Sequence, residues 1–140
     1  MREELLNAPY WVSDFRPEQV PQGCAGQFSA VQKYYLQPSV LAGLHRRFAN
    51  ILLKLNCYDD FHVSASDGDQ VTVNPTPESL LSRIVDHPED LCIVLPDEQT
   101  LITLSHDDLY MTVYHPSERL LDRIGCLASA EGLFFWQPKT

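Results

Sequence analysis

Residues Pro38 to Asn56 read Pro-Ser-Val-Leu-Ala-Gly-Leu-His-Arg-Arg-Phe-Ala-Asn-Ile-Leu-Leu-Lys-Leu-Asn. Val40, Leu41, Leu44, Phe48, Ile51, Leu52 and Leu55 recur at the three-and-four spacing of one helical face, and His45, Arg46, Arg47 and Lys54 take the other positions. The pattern predicts a core-facing amphipathic helix with a basic solvent face. Pro38 suits the first helical turn, where a missing amide hydrogen costs nothing, and the segment runs for about five turns. Seven buried side chains at roughly 1.5–3 kcal/mol each, before entropy is subtracted, make this helix the largest block of core in the chain.

Downstream of it, Phe61, Val63 and Ala65 alternate with His62 and Ser64 as a half-buried strand would, Asp67-Gly68-Asp69 turns the chain, and Val71 and Val73 return as a hairpin partner. Thr76-Pro77-Glu78 has the capping hydroxyl, the proline and the first-turn acid of a helix start; that helix should carry Leu80, Leu81, Ile84 and Val85 to about His87. Three strand-like runs follow: Leu91 to Leu95, Thr100 to Leu104 and Leu109 to Tyr114. Their links, Pro96-Asp97-Glu98-Gln99 and Ser105-His106-Asp107-Asp108, are short and acidic, which predicts an antiparallel meander. Pro116-Ser117-Glu118 starts a last helix with Leu120, Leu121, Ile124, Leu127 and Ala128 on its apolar face. Gly132 is placed to end it in the left-handed conformation, and Leu133 to Trp136 is a final strand that Pro138 stops.

Upstream, residues 1–25 are expected to be largely irregular: a helical turn at Glu3 to Asn7, an aromatic strand from Tyr10 to Phe15, then breakers at Pro17, Pro21 and Gly23. Phe28, Val31, Tyr34 and Tyr35 fit a short helix between Gln27 and Leu36. The sum is an α+β fold: a single domain over 1–140, with an antiparallel sheet of four to six strands and three or four helices packed on one face.

At 140 residues the chain can bury about two thirds of its unfolded surface, and 44 per cent apolar residues argue against disorder. No apolar run reaches the roughly 18 residues of a membrane span, and acids at Glu3 and Glu4 replace the basic start of a signal peptide, so a cytoplasmic location is expected. Cys24, Cys57, Cys92 and Cys126 form no Cys-x-x-Cys pair; they are read as reduced, mostly buried thiols, with Cys24, in a loop, the one to test for reactivity. The net charge of −9 is unevenly spread. Residues 55–118 hold thirteen acids and one base, Arg83, whereas the segments on either side are weakly basic. Such a field repels nucleic acid backbones and anionic membranes and attracts basic partners.

No motif asks for a cofactor or a catalytic group. The adjacent acids Asp59/Asp60, Asp97/Glu98 and Asp107/Asp108 lack the alternating oxygen ligands of a metal loop, and Asp67-Gly68-Asp69 is too short for one; a solvated acidic rim explains them. The five histidines never fall at the i, i+4 spacing of a zinc helix, and His106 beside two acids reads as an exposed turn. His45-Arg46-Arg47 is read as helix surface rather than a phosphate site, and Tyr34, Tyr35, Tyr110 and Tyr114 serve core packing as readily as interface anchoring.

The last third, Tyr110-Met-Thr-Val-Tyr-His-Pro-Ser-Glu-Arg-Leu-Leu-Asp122 with Ala130-Glu-Gly-Leu-Phe-Phe-Trp-Gln-Pro138, and the helix segment Phe48 to Tyr58 resemble the small cytoplasmic immunity proteins that accompany bacterial contact-dependent growth inhibition toxins and related polymorphic toxins. The resemblance implies a non-enzymatic protein that needs no cofactor and binds one toxin domain, often a nuclease, blocking its active site or substrate path. The charge agrees independently, since an acidic inhibitor can cover the basic surface a nuclease offers to phosphate. On that expectation the toxin-binding residues are drawn from Asp59, Asp60, Asp67, Asp69, Asp86, Glu89, Asp90, Asp97, Glu98, Asp107, Asp108 and Tyr110, with neither nucleic acid nor membrane as partner. An acidic secretion chaperone or adaptor that holds an effector segment is the alternative, and a carboxylate-dependent hydrolase a third.

Overall fold

The computed structural model describes residues 2–23 and 26–138. Helix α3 occupies Pro38–Asn56, as its periodicity requires. Gln37 before it is extended, at φ −62° and ψ 135°, because a proline ring excludes the preceding residue from the helical region. Leu44, Phe48, Ala49, Ile51, Leu52 and Leu55 are buried, while Val40 and Leu41 at the start are only half-buried. His45 corrects the expected polar face. It lies at the edge of the apolar stripe, is 2% exposed, and packs against Phe48 beneath the link that ends at Asp108, whereas Arg46, Arg47 and Lys54 face water.

Seven strands pair antiparallel in one sheet: β1 (Tyr10–Asp14), β2 (His62–Ala65), β3 (Thr72–Val73), β4 (Leu91–Leu95), β5 (Thr100–Leu104), β6 (Tyr110–Tyr114) and β7 (Phe134–Trp136), in the order β3-β2-β4-β5-β6-β1-β7. The count exceeds the expected four to six because the short runs β3 and β7 both pair, one at each edge. β1, from a segment expected to be mostly irregular, is an interior strand, paired along its length with β6 and on its other side with β7.

Strand alternation divides the side chains into two layers. Phe61, Val63, Leu91, Ile93, Leu95, Ile102, Leu104, Met111 and Val113 point inward, where α3 and α5 (Glu118–Ala130) close the core with Leu80 and Ile84 from the helix between them. Helix α2 (Phe28–Tyr35) caps this layer at one corner without burying a residue, Tyr35 stacking on Phe15 at 4.2 Å. Contrary to the expectation of helices on one face, the short α1 (Arg2–Leu5) sits on the opposite face. There Leu5 packs on Cys92 and Leu101 and Arg2 donates to the hydroxyl of Ser64.

The helix ends follow from local chemistry. Helix α4 (Pro77–Leu81) starts with the Thr76 hydroxyl accepting the amide of Ser79 at 3.1 Å, and α5 starts with the Ser117 hydroxyl accepting that of Leu120 at 3.2 Å. Gly132, at φ +74°, ends α5 with bonds from the amides of Gly132 to Ser129 and of Leu133 to Ala128. The α4 turn widens into a π-helical turn over Ser82–Asp86, closed by the amide of His87 on the carbonyl of Ser82, which helical periodicity does not foretell.

The thiols depart from expectation: Cys92 is buried, but Cys57, at the C-terminal cap of α3, and Cys126, on α5, are exposed. Cys24 lies outside the described residues. Among the described residues no helix is long and apolar enough to cross a membrane.

Candidate functional site

In an antiparallel meander consecutive links fall at opposite ends of the strand between them, and this divides the acids into two groups. Leu95 pairs with Thr100 and Leu101 with Tyr114, which puts Asp97 and Glu98 beside Asp59, Asp60 and the start of α5. Leu91 pairs with both Ala65 and Leu104, so Asp67, Asp69, Glu89, Asp90, Asp107 and Asp108 gather at the other end with Tyr110, and Asp86 precedes them at the close of the π-helical turn. Five residues of strand at about 3.4 Å each separate the ends by roughly 17 Å. The acids named from sequence therefore fall into two groups at opposite ends of the strands.

The two ends differ in how their charge is compensated. At the first, Arg119 on α5 bridges two carboxylates: it donates to Asp59 Oδ1 at 2.6 Å and to Glu98 Oε1. The Arg119 hydrogen bond, and then one from Ser117, holds the Glu98 carboxyl below the usual range. Asp59 is 7% exposed, which removes it from the expected binding set: it is a structural residue and not part of a solvated acidic rim. Asp60 accepts from the Asn74 amide at 3.0 Å. Asp97 alone of this group stands exposed without a hydrogen bond among the described residues.

At the other end compensation is sparse. Glu89 pairs with Arg83, and Asp90 accepts the backbone amide of His106 at 2.9 Å and its ring Nδ1 at 2.8 Å. That side-chain bond raises the imidazole's proton affinity, an effect to which nearby Asp107 adds, and the same bond lowers the pKa of Asp90. The amide of Ser66 on the Asp90 carbonyl ties in the loop bearing Asp67 and Asp69, both exposed. Asp107 is exposed; half-buried Asp108 accepts the amide of Ser105 at 3.0 Å, and burial pushes its carboxyl pKa up. Beneath this link the buried His45 Nε2 donates to the Asp108 carbonyl oxygen at 2.7 Å, pinning the acidic turn to α3.

Beside these acids lies a cleft of about 290 Å³ that sequence did not reveal, lined by Arg16, Phe28, Gln32, Leu36, Asp108 and Tyr110. It joins the segment after β1 to α2 and β6, three pieces distant in the chain. The one signal for it was Asp14-Phe15-Arg16, charged residues flanking an aromatic at the end of an apolar strand. Asp14 has no exposed side-chain surface, and its carboxylate accepts from Arg16 Nε and Nη2 at 3.2 and 2.8 Å. Among the described residues no three His, Cys, Asp or Glu side chains converge as metal ligands would. The surface offers negative charge beside exposed aromatic rings, which suits recognition of a basic macromolecular face. Comparison of the chain with protein-family models, with curated proteins and with solved structures gave no match, so function is argued from this surface.

Proposed function

We propose that the chain is an immunity protein that binds and neutralises a cognate toxin domain, a basic nuclease, through the end of the sheet bearing Asp67, Asp69, Asp90, Asp107, Asp108 and Tyr110. The observation that carries this reading is the asymmetry of compensation: Arg119 neutralises much of one acidic end, while the other keeps exposed carboxylates next to a partly exposed tyrosine and an open cleft. Asp67, Asp69 and Asp107 have no side-chain partner among the described residues, so their charge does nothing for the fold, and it complements a surface shaped for phosphate. A standard interface takes about 800 Å² from each partner, about a tenth of this chain's 8092 Å². Charge supplies rapid, salt-sensitive encounter, and the apolar neighbours Tyr110, Phe28 and Leu36 supply the anchors that make a complex last.

The test is to mix the purified chain with the C-terminal domain of a large secreted protein encoded immediately upstream and to measure mass by light scattering on a sizing column. A one-to-one species, with the toxin activity lost at the same ratio, is expected. Absence of a complex together with a stable dimer that takes up an extended effector segment would replace this proposal with the secretion chaperone.

A further inference from the structure

The face of the sheet opposite the main helices is only partly covered. Helix α1 lies over β4 and β5, and across β6, β1 and β7 the outward side chains are Tyr110, Thr112 and Tyr114, then Tyr10, Val12 and Asp14, then Phe134 and Trp136. Tyr10, Tyr110 and Phe134 keep 41%, 40% and 47% of their surface exposed, an unusual density of open aromatic area on one face of a small protein. Tyr10, Tyr110, Trp136 and Pro138 wall a cleft of about 250 Å³ whose floor is Val12 and the buried carboxylate of Asp14.

The walls are set in place before any ligand arrives. Trp136 Nε1 donates to the carbonyl of Arg16 at 2.8 Å, and the ring of Tyr10 tilts against that of Tyr114 with centroids 5.5 Å apart. Arg16, the one cation lining the cleft among the described residues, is engaged elsewhere: it holds Asp14 and lies over the rings of Phe28 at 4.9 Å and Phe15 at 5.5 Å. Negative charge lies next door: Asp107 and Asp108 line the adjoining cleft, which shares Arg16 and Tyr110 with this one. Aromatic faces with carboxylates in the adjoining cleft match a side chain with a long apolar stem and a cationic head: the stem lies along the rings, and the head meets their negative faces on the side where Tyr110 borders the acids.

We propose that this cleft receives an arginine or lysine side chain from a basic polypeptide segment of the partner. The inference deepens the immunity reading and rests on it for the partner's identity, but the cleft chemistry is testable alone. The isotopically labelled chain would be titrated with the blocked peptide acetyl-Gly-Arg-Gly-amide, its lysine counterpart and its glutamate counterpart, following the indole resonance of Trp136 and the amides of 10–14 and 110–114 by NMR. The cationic peptides should move these signals saturably at millimolar concentration, and the glutamate peptide should not. Tyr110→Phe, which keeps a ring, should retain binding; Tyr110→Leu, which keeps apolar bulk without one, should weaken it at least tenfold, with the inward Trp11 indole signal unmoved as the control for folding. Silent cleft resonances, shifts confined to the Asp67–Asp69 loop, or an equal response to the glutamate peptide would each overturn the proposal. A toxin domain that binds without moving Trp136 would remove the cleft and leave the immunity reading; peptides that bind where no toxin domain does would do the reverse.

Discussion

Replacing Arg119 by methionine should destabilise the chain without touching its binding end. The Asp59 side chain is 5% exposed, its Oδ1 is held by Arg119, and its Oδ2 has no hydrogen-bond partner among the described residues, so the guanidinium is what makes a buried carboxylate tolerable there. Removing one partner of a buried ion pair costs about 3–5 kcal/mol. Arg119 is itself 44% exposed, so water already screens the pair, and a loss of about 2 kcal/mol is the reasonable expectation. For a chain of this size that lowers Tm by about 6–8 °C. Asp59→Asn removes the charge and keeps the shape, at about 1 kcal/mol, and the double variant no longer has an orphaned carboxylate. Its cost should therefore fall short of the sum of the two by about 1 kcal/mol. Because Arg119 and then Ser117 lower the Glu98 pKa, that group's contribution is present above the ordinary carboxylate range and is lost as pH falls through the lowered value. The gap between wild type and Arg119→Met should narrow accordingly in acid. Urea unfolding of the four proteins at pH 7 measures the cycle, and strictly additive costs would refute the claim that Arg119 and Asp59 act as a unit.

Three further outcomes are expected. Neutralising Asp67, Asp69, Asp107 and Asp108 together should slow association with a basic nuclease domain about tenfold or more and flatten its salt dependence, whereas Asp60→Asn with Asp97→Asn should leave both unchanged; stopped-flow mixing at several salt concentrations separates the two ends. The His106 ring should titrate above the ordinary histidine value and fall back toward it in Asp90→Asn, and because its deprotonation and that of Asp108 both make the rim more negative, affinity for a basic partner should rise with pH through each transition; an unmoved His106 midpoint in the variant would show the pair to be absent in solution. Gly132→Ala should cost about 1 kcal/mol in chemical denaturation, since a Cβ at φ +74° is strained although space is available, the nearest atom being Arg47 Nη1 at 3.8 Å.

Most of the fold was legible because its signals are local. The α3 stripe, the Thr76 and Ser117 caps, the Gly132 stop and the three meander runs each rest on neighbouring residues, and each element forms where those residues place it. What was not legible depends on partners remote in sequence. His45 is one position off the centre of its apolar stripe, and only the turn crossing it, sixty-three residues on, decides that it is buried. Asp59 sits next to Asp60 yet lies on the other side of the backbone, facing an arginine sixty residues away. The division of the acids was within reach, however: a meander with links at 96–99 and 105–108 must place those links at opposite ends of β5, and charge totals conceal that consequence. The cleft beside Asp108 was beyond reach, since α2, β6 and the residues after β1 meet there only once the sheet order is known.

The contrast between the two ends also predicts opposite responses to salt. Where Arg119 joins Asp59 and Glu98, added salt screens an attraction and weakens the fold slightly. At the other end Asp107 and Asp90 lie close to Asp108, Asp67 and Asp69 are exposed at the same end, and burial already makes the ionised form of Asp108 unfavourable, so screening there relieves repulsion and stabilises the free chain. If those acids exist to meet a basic partner, the salt that steadies the free chain must loosen the complex, because the same charges are repelled in one state and attracted in the other. Neutralising them should abolish both responses. Acids that merely keep the surface wet would lose the first and have no second, and that difference in sign separates a solvated rim from a binding surface.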